Sequence, residues 1–238
     1  MAKTSSKFSA GLARVVKCVM VAVLIPLALG LLQGVLDELD VMSSTGFATY
    51  RQWVGWGFMA YVWLHLLLYR PAALFRVSHR MFSVLAVWLF GGQVTSVEGA
   101  GGSKGKSGGL KPDAAQGSTL VAFSPYVIPL YTILIAAAGW LARRWLGRML
   151  VDGPVSVLLG VAMAFHWLMT ADDLQRQRER WHVETYLLAL GLVFVVTLLI
   201  GGACLPWAVP EFSFVRALAE GFTNAQGIYT TLVRQLFL

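Results

Sequence analysis

Charge is scarce in this sequence. Asp, Glu, Lys and Arg supply 13% of its 238 residues, hydrophobic residues supply 57%, and mean hydropathy is +0.67. A soluble domain of this length needs far more charge to cover its surface, which excludes the soluble classes. Strict apolar/polar alternation is also missing. The apolar residues come in unbroken blocks, which excludes a membrane β-barrel and leaves helices. Cysteine occurs only at Cys18 and Cys204, each inside an apolar run. Without a CxxC pair there is no disulfide framework, and without CxxCH any haem would be non-covalent. No internal repeat and no paired acids within a span are present, which argues against a transporter. Acids are outnumbered by bases, for a net charge of +7. No basic domain stands apart from the apolar blocks, so that excess belongs to cytoplasmic span ends and anionic lipid, and no nucleic-acid partner is expected.

What is present predicts an all-α integral membrane protein of about six transmembrane helices. Residues 1–17 are a basic head with Lys3, Lys7, Arg14 and Lys17. The head and the apolar run 18–36 match a signal peptide's charged and hydrophobic regions, but no small-x-small cleavage site follows, so an uncleaved first span with a cytoplasmic N-terminus is expected. Pro26 and Gly30 are placed to kink it. The acidic, turn-rich 37–51 reads as an outside loop. Further spans are expected at 52–69, 72–90, 120–142, 151–170 and 183–209. The arginines at 143, 144 and 148 mark the cytoplasmic side, as does the stretch 70–80. Residues 172–180 read as a solvated turn of ion pairs.

The Gly/Ser/Lys-rich loop 99–117 has no apolar periodicity and reads as a flexible connection; its flanks, 94–98 and 118–123, suit a short β-hairpin. Gly101, Lys106 and Ser107 partly mimic a phosphate loop, but the strand before and the helix after are missing. The polytopic region thus covers 18–209. Beyond it, 210–238 has Ile228, Tyr229, Leu232, Val233 and Leu236 on one helical face and Arg216, Gln226 and Arg234 opposite, as in an amphipathic helix on a membrane surface or on the protein's own cytoplasmic ends.

The chemistry-bearing residues cluster around 69–92, a helix with His79 and Arg80 near its start and Gly91-Gly92 at its end. The blocks HLLLYRPAALFRVSHRMFSVLAVWLFGGQVTSVEG, STLVAFSPYVIPLYTILI (with Pro125 and Pro129 kinking a fourth span) and AFHWLMT (with His166) resemble the site-2 protease family of intramembrane zinc metallopeptidases, especially its small bacterial members. The resemblance implies an HExxH helix in which two histidines hold zinc and the glutamate activates water. Here His79 takes the first position, Arg80 that of the glutamate and Ser83 that of the second histidine. Arginine stays cationic and cannot act as the base, and serine is a poor zinc ligand. Asp152-Gly153 stands in only weakly for the family's later acidic ligand.

The resemblance therefore implies a scaffold with its catalytic motif lost: no catalytic residue, no resident metal or cofactor, and a relic pocket of His79, Arg80, Ser83, Pro125, Pro129 and His166. The expected role is a non-catalytic binding or accessory subunit in a bacterial inner membrane, with membrane lipids and another membrane protein as partners. One alternative is a haem- or metal-binding protein using His65, His79 and His166. Others are an active peptidase with an atypical site, and an accessory subunit holding lipid or pigment between Trp-rich spans, with Trp140, Trp145 and Trp167 among the aromatics.

Overall fold

The computed structural model describes residues 2–41, 49–67, 76–77, 81, 126–176 and 182–237. The expected third span, apart from residues 76, 77 and 81, the Gly-rich loop and its hairpin lie outside them. Two compact units are present, one of Met1–Arg70 with Pro129–Leu238 and one of Pro71–Ile128. In the second unit only residues 76, 77, 81 and 126–128 are described. The described chain is almost entirely helical, with no strands.

Among the described residues the first unit has six helices: α1 (Ala2–Val41), α2 (Tyr50–Leu67), α3 (Leu130–Leu146), α4 (Arg148–Arg176), α5 (Val183–Ala208) and α6 (Phe214–Phe237). Three carry segments long and apolar enough to cross a membrane: Gly11–Val41 of α1, Leu150–Arg176 of α4 and Val183–Ala208 of α5. That is consistent with a multi-pass membrane protein. α2 carries Arg51, Gln52 and His65, α3 has 17 residues, and α6 is polar on one face. Much of α1's outer surface is apolar, with Leu12, Val15, Val19, Val23 and Leu29 about half exposed.

Small residues set the closest helix contacts. Gly30 and Gly34, spaced as a GxxxG pair, meet Ala217, Gly221 and Ala225 of α6; a Cβ on Gly30 would stand 2.7 Å from that of Ala225. α6 thus packs antiparallel along α1 through the small residues Ala217, Gly221 and Ala225, while Leu232 and Val233 of its expected apolar stripe stay exposed. Gly57 of α2 and Gly160 of α4 make the second close pair, each against the other helix's backbone carbonyl. Gly30, expected as part of a kink, instead serves as a contact surface.

Local chemistry fixes the helix ends. Thr49 and Gln52 form a reciprocal capping box at the start of α2, the Thr49 amide donating to Gln52 Oε1 (3.1 Å) and the Gln52 amide to Thr49 Oγ1 (3.3 Å). α3 begins directly after Pro129, whose carbonyl accepts the Ile133 amide at 3.1 Å. The expected kink at Pro129 is therefore a helix start, a position where proline's missing N–H costs nothing. Between α3 and α4 a single residue, Gly147 at φ +80°, reverses the chain. Only glycine adopts that backbone without strain, and the reversal brings Arg143 back against Asp152.

Side-chain contacts give the helix directions. α2 runs parallel to α4, with Tyr50 at Asp152 and Tyr61 at Phe165. α3 runs antiparallel to α4, with Tyr131 at Phe165 and Arg143 at Asp152. α1 runs parallel to α5, with Lys17 at Thr185. The end of α1, the start of α2 and the α3–α4 turn therefore share one end of the bundle. This corrects the expectation that 37–51 and the arginines at 143–148 lie on opposite sides. The reason is physical: Arg143 is an inward-facing ion-pair partner, not a hydrated marker of the cytoplasm, while Arg144 stacks over Trp140 at 5.4 Å. Single cysteines replacing Val41 and Leu146, in a background without Cys18 and Cys204, should react with an impermeant thiol reagent from the same side, and one replacing Leu67 from the other. Labelling of Val41 and Leu146 positions from opposite sides would contradict the fold.

Candidate functional site

Two features stand out in the first unit, a buried polar cluster at one end and an apolar cleft leading away from it. In the cluster, Arg143 Nε and Nη2 donate to Asp152 Oδ1 at 2.9 and 2.6 Å, and the Tyr50 hydroxyl donates to Oδ2 at 2.6 Å. Arg143 Nη2 also donates to the Ala208 carbonyl at the end of α5. The side chains are 12% and 6% exposed, so four helices meet on a charge pair withdrawn from solvent. Beside it, the carboxylate of Glu38 from α1 accepts from the Ser213 amide at 3.1 Å and pairs with Arg216 at 2.8 Å. A carboxylate on a helix N-terminus is favourably placed, so this contact ties the start of α6 to the end of α1. Both clusters tie helix ends together, with Arg143 Nη1 left buried without an acceptor.

The cleft lies between α1 and α2 and has a volume of about 790 Å³. Leu32, Val35, Leu36 and Leu39, at helical spacing, form the α1 wall; Gln52, Trp56 and Met59 form the α2 wall. Leu159, Met163 and Trp167 of α4 and the Gly201-Gly202 pair of α5 form the floor, with Thr132 of α3 completing the lining. Trp56 and Met59 are exposed, so they stand at its mouth. The cleft exists because each wall has its close partner elsewhere: α2 is pinned to α4 at Gly57 and Gly160, and α1 to α6 at Gly30 and Gly34. Among the described lining residues none is ionisable. Thr132 Oγ1 and Trp167 Nε1 are both buried without a hydrogen-bond partner.

Of the sites expected from sequence, His79, Arg80, Ser83 and Pro125 lie outside the described residues. Pro129 is buried at the start of α3. His166 is buried on α4, with Nε2 3.5 Å from Thr197 Oγ1 of α5. The Tyr131–Phe165 edge contact, centroids 5.3 Å apart, puts Pro129 and His166 at one level of the bundle, but neither lines the cleft. His65 packs beside Tyr61, ring centroids 5.9 Å apart, and its Nδ1 is buried without a partner. Among the described residues no group of three or more His, Cys, Asp or Glu is placed to hold a metal ion. Asp152, the weak stand-in for an acidic ligand, is engaged by Arg143 and Tyr50.

Sequence reasoning missed the cleft. Its signals were there: a Gly-Gly pair in α5, Thr132 in an apolar run, and Trp167 one residue after His166.

Fold and cleft together describe a helical bundle, consistent with a multi-pass membrane protein, that carries an apolar recess with two unmet hydrogen-bond donors. Compared with family models, curated proteins and solved structures, the chain matches none.

Proposed function

We propose that this chain is a non-catalytic binding or accessory subunit that takes an apolar guest from the bilayer into the cleft between α1 and α2. The observation that carries this reading is the cleft itself, whose volume falls within the roughly 300–1,000 Å³ of small-molecule sites. Among the described residues its walls offer no ionisable side chain. The sequence adds that Arg80 and Ser83 stand where a site-2 protease-like scaffold would need its base and second zinc ligand.

In this reading all six helices cross the inner membrane of a bacterium, with both termini cytoplasmic. The N-terminal end carries Lys3, Lys7, Arg14, Lys17, Arg176 and Arg234 against Asp172, Asp173 and Glu184, Glu184 lying 3.7 Å from Arg14. At the opposite end Asp37, Glu38, Asp40, Asp152 and Glu211 offset Arg51, Arg143, Arg144, Arg148 and Arg216. The positive-inside bias therefore favours the N-terminal end as cytoplasmic.

A photo-reactive amino acid replacing Met59 should give an adduct in native membranes that one replacing Val215, exposed at the start of α6, does not. Equal yield at the two positions would refute an occupied cleft. Purified protein should carry no stoichiometric zinc and leave helical membrane substrates intact; bound zinc with cleavage would establish an active peptidase instead.

A further inference from the structure

The two unmet donors say more about the guest. Thr132 is 2% exposed, and its hydroxyl and the indole N–H of Trp167 are buried at the cleft without an acceptor. Trp167 is held by Phe194 (centroids 4.3 Å) and Phe58 (5.9 Å), so its ring is not free to turn toward another partner. An indole nitrogen only donates, so whatever completes this site must bring an acceptor. Native chains rarely leave such donors unpaired.

The character of that acceptor follows from the walls. With no cation among the described lining residues, a phosphate or carboxylate would enter unpaired, which its desolvation forbids. Trp167 follows the end cluster at Asp152 by about 22 Å of helix and precedes Asp172 by about 7.5 Å, so the ester carbonyls of the leaflet at the Asp152 end are too far to reach it. A transmembrane segment is also unsuited, because its backbone carbonyls are already used within its own helix.

We propose that the cleft binds an uncharged, lipid-soluble carbonyl compound, a ketone or quinone head on an apolar body, whose oxygen accepts from Thr132 Oγ1 and Trp167 Nε1. This rests on the reading of the cleft as a guest site and names the guest's chemistry. The apolar body lies against Leu32, Leu36, Met59 and Leu198, and the carbonyl sits at the deep end.

The test is equilibrium binding to the delipidated full-length chain in nanodiscs, with empty nanodiscs subtracted. The probes are decyl-1,4-benzoquinone, 2-tridecanone and dodecylbenzene. Thr132→Val and Trp167→Phe should each weaken binding of a carbonyl probe by about three- to tenfold, the worth of one hydrogen bond. Thr132→Ser should restore it, and dodecylbenzene should bind weakly and respond to neither variant. Binding of the quinone alone or of the ketone alone supports the proposal and identifies the head group. Equal affinity for carbonyl and hydrocarbon probes, or variants that shift both alike, overturns it, as does the absence of saturable carbonyl binding. Unchanged melting temperatures show that the variants remain folded. If a photo-reactive group at Met59 captures a guest while carbonyl and hydrocarbon probes bind alike, the guest site stands and its carbonyl chemistry falls.

Discussion

Asp152→Ala should destabilise the bundle by about 3–5 kcal/mol, because it leaves the Arg143 guanidinium buried with no counter-charge. Asp152 is 6% exposed and Arg143 12%, so water cannot take over the lost contact. Truncating either partner alone should be costly. Arg143→Met with Asp152→Leu should recover most of the loss, since an apolar pair of similar volume avoids desolvating two charges. Tyr50→Phe removes one hydrogen bond to a carboxylate and should cost less, about 1.5–3 kcal/mol. Reversible unfolding in mixed detergent, run as a double-mutant cycle, would separate the pair's coupling from the single truncations. An Asp152→Ala protein within about 1 kcal/mol of wild type would mean that the pair is solvated. The shared end of α1, α2 and the α3–α4 turn would lose its main tie.

That ion pair also shows where sequence reading stops. The apolar blocks place α1, α4 and α5 well, since a long run of apolar residues reports its own burial in lipid or protein. The capping box of Thr49 and Gln52 and the GxxxG pair of Gly30 and Gly34 are local patterns too, but 37–51 reads as a loop and Gly30 as a kink until their partners are known. The contact of Tyr50 with Asp152, 102 positions apart, has no local signature. Arg143 looks the same in sequence whether it snorkels to headgroups or turns inward to a carboxylate; only Gly147's left-handed turn decides. The same limit applies to the cleft. Thr132 and Trp167 come from helices that periodicity can locate but not pair, and an unmet donor becomes apparent only once its neighbours are known. The apolar pattern of α6 drew attention to Leu232 and Val233, which stay exposed, whereas α1 covers the small residues Ala217, Gly221 and Ala225, which periodicity of large apolar residues does not mark.

Gly57→Leu should be the second severe substitution, and the most informative about the cleft. A side chain there would overlap the Val157 carbonyl of α4, just as one at Gly160 would overlap the Val54 carbonyl of α2. Backbone cannot yield as a flexible side chain can, so the two helices must separate, and a loss of about 3 kcal/mol or more is expected, at or above the usual range for overpacking. Gly34→Leu should act similarly on α1 and α6, because Ala217 and Gly221 supply backbone at the contact. Gly55 is the control. It lies on α2 two residues from Gly57, yet a Cβ there meets nothing within 4 Å. Gly55→Ala should be neutral or raise stability by up to about 1 kcal/mol through helix propensity. Because Gly55 lines the cleft, Gly55→Leu should fill its mouth and abolish guest capture at Met59 while the melting temperature holds. If Gly55→Leu and Gly57→Leu unfold the protein equally, α2 does not rest on α4 through Gly57, and the space between α1 and α2 is not held open by the contacts assigned to it.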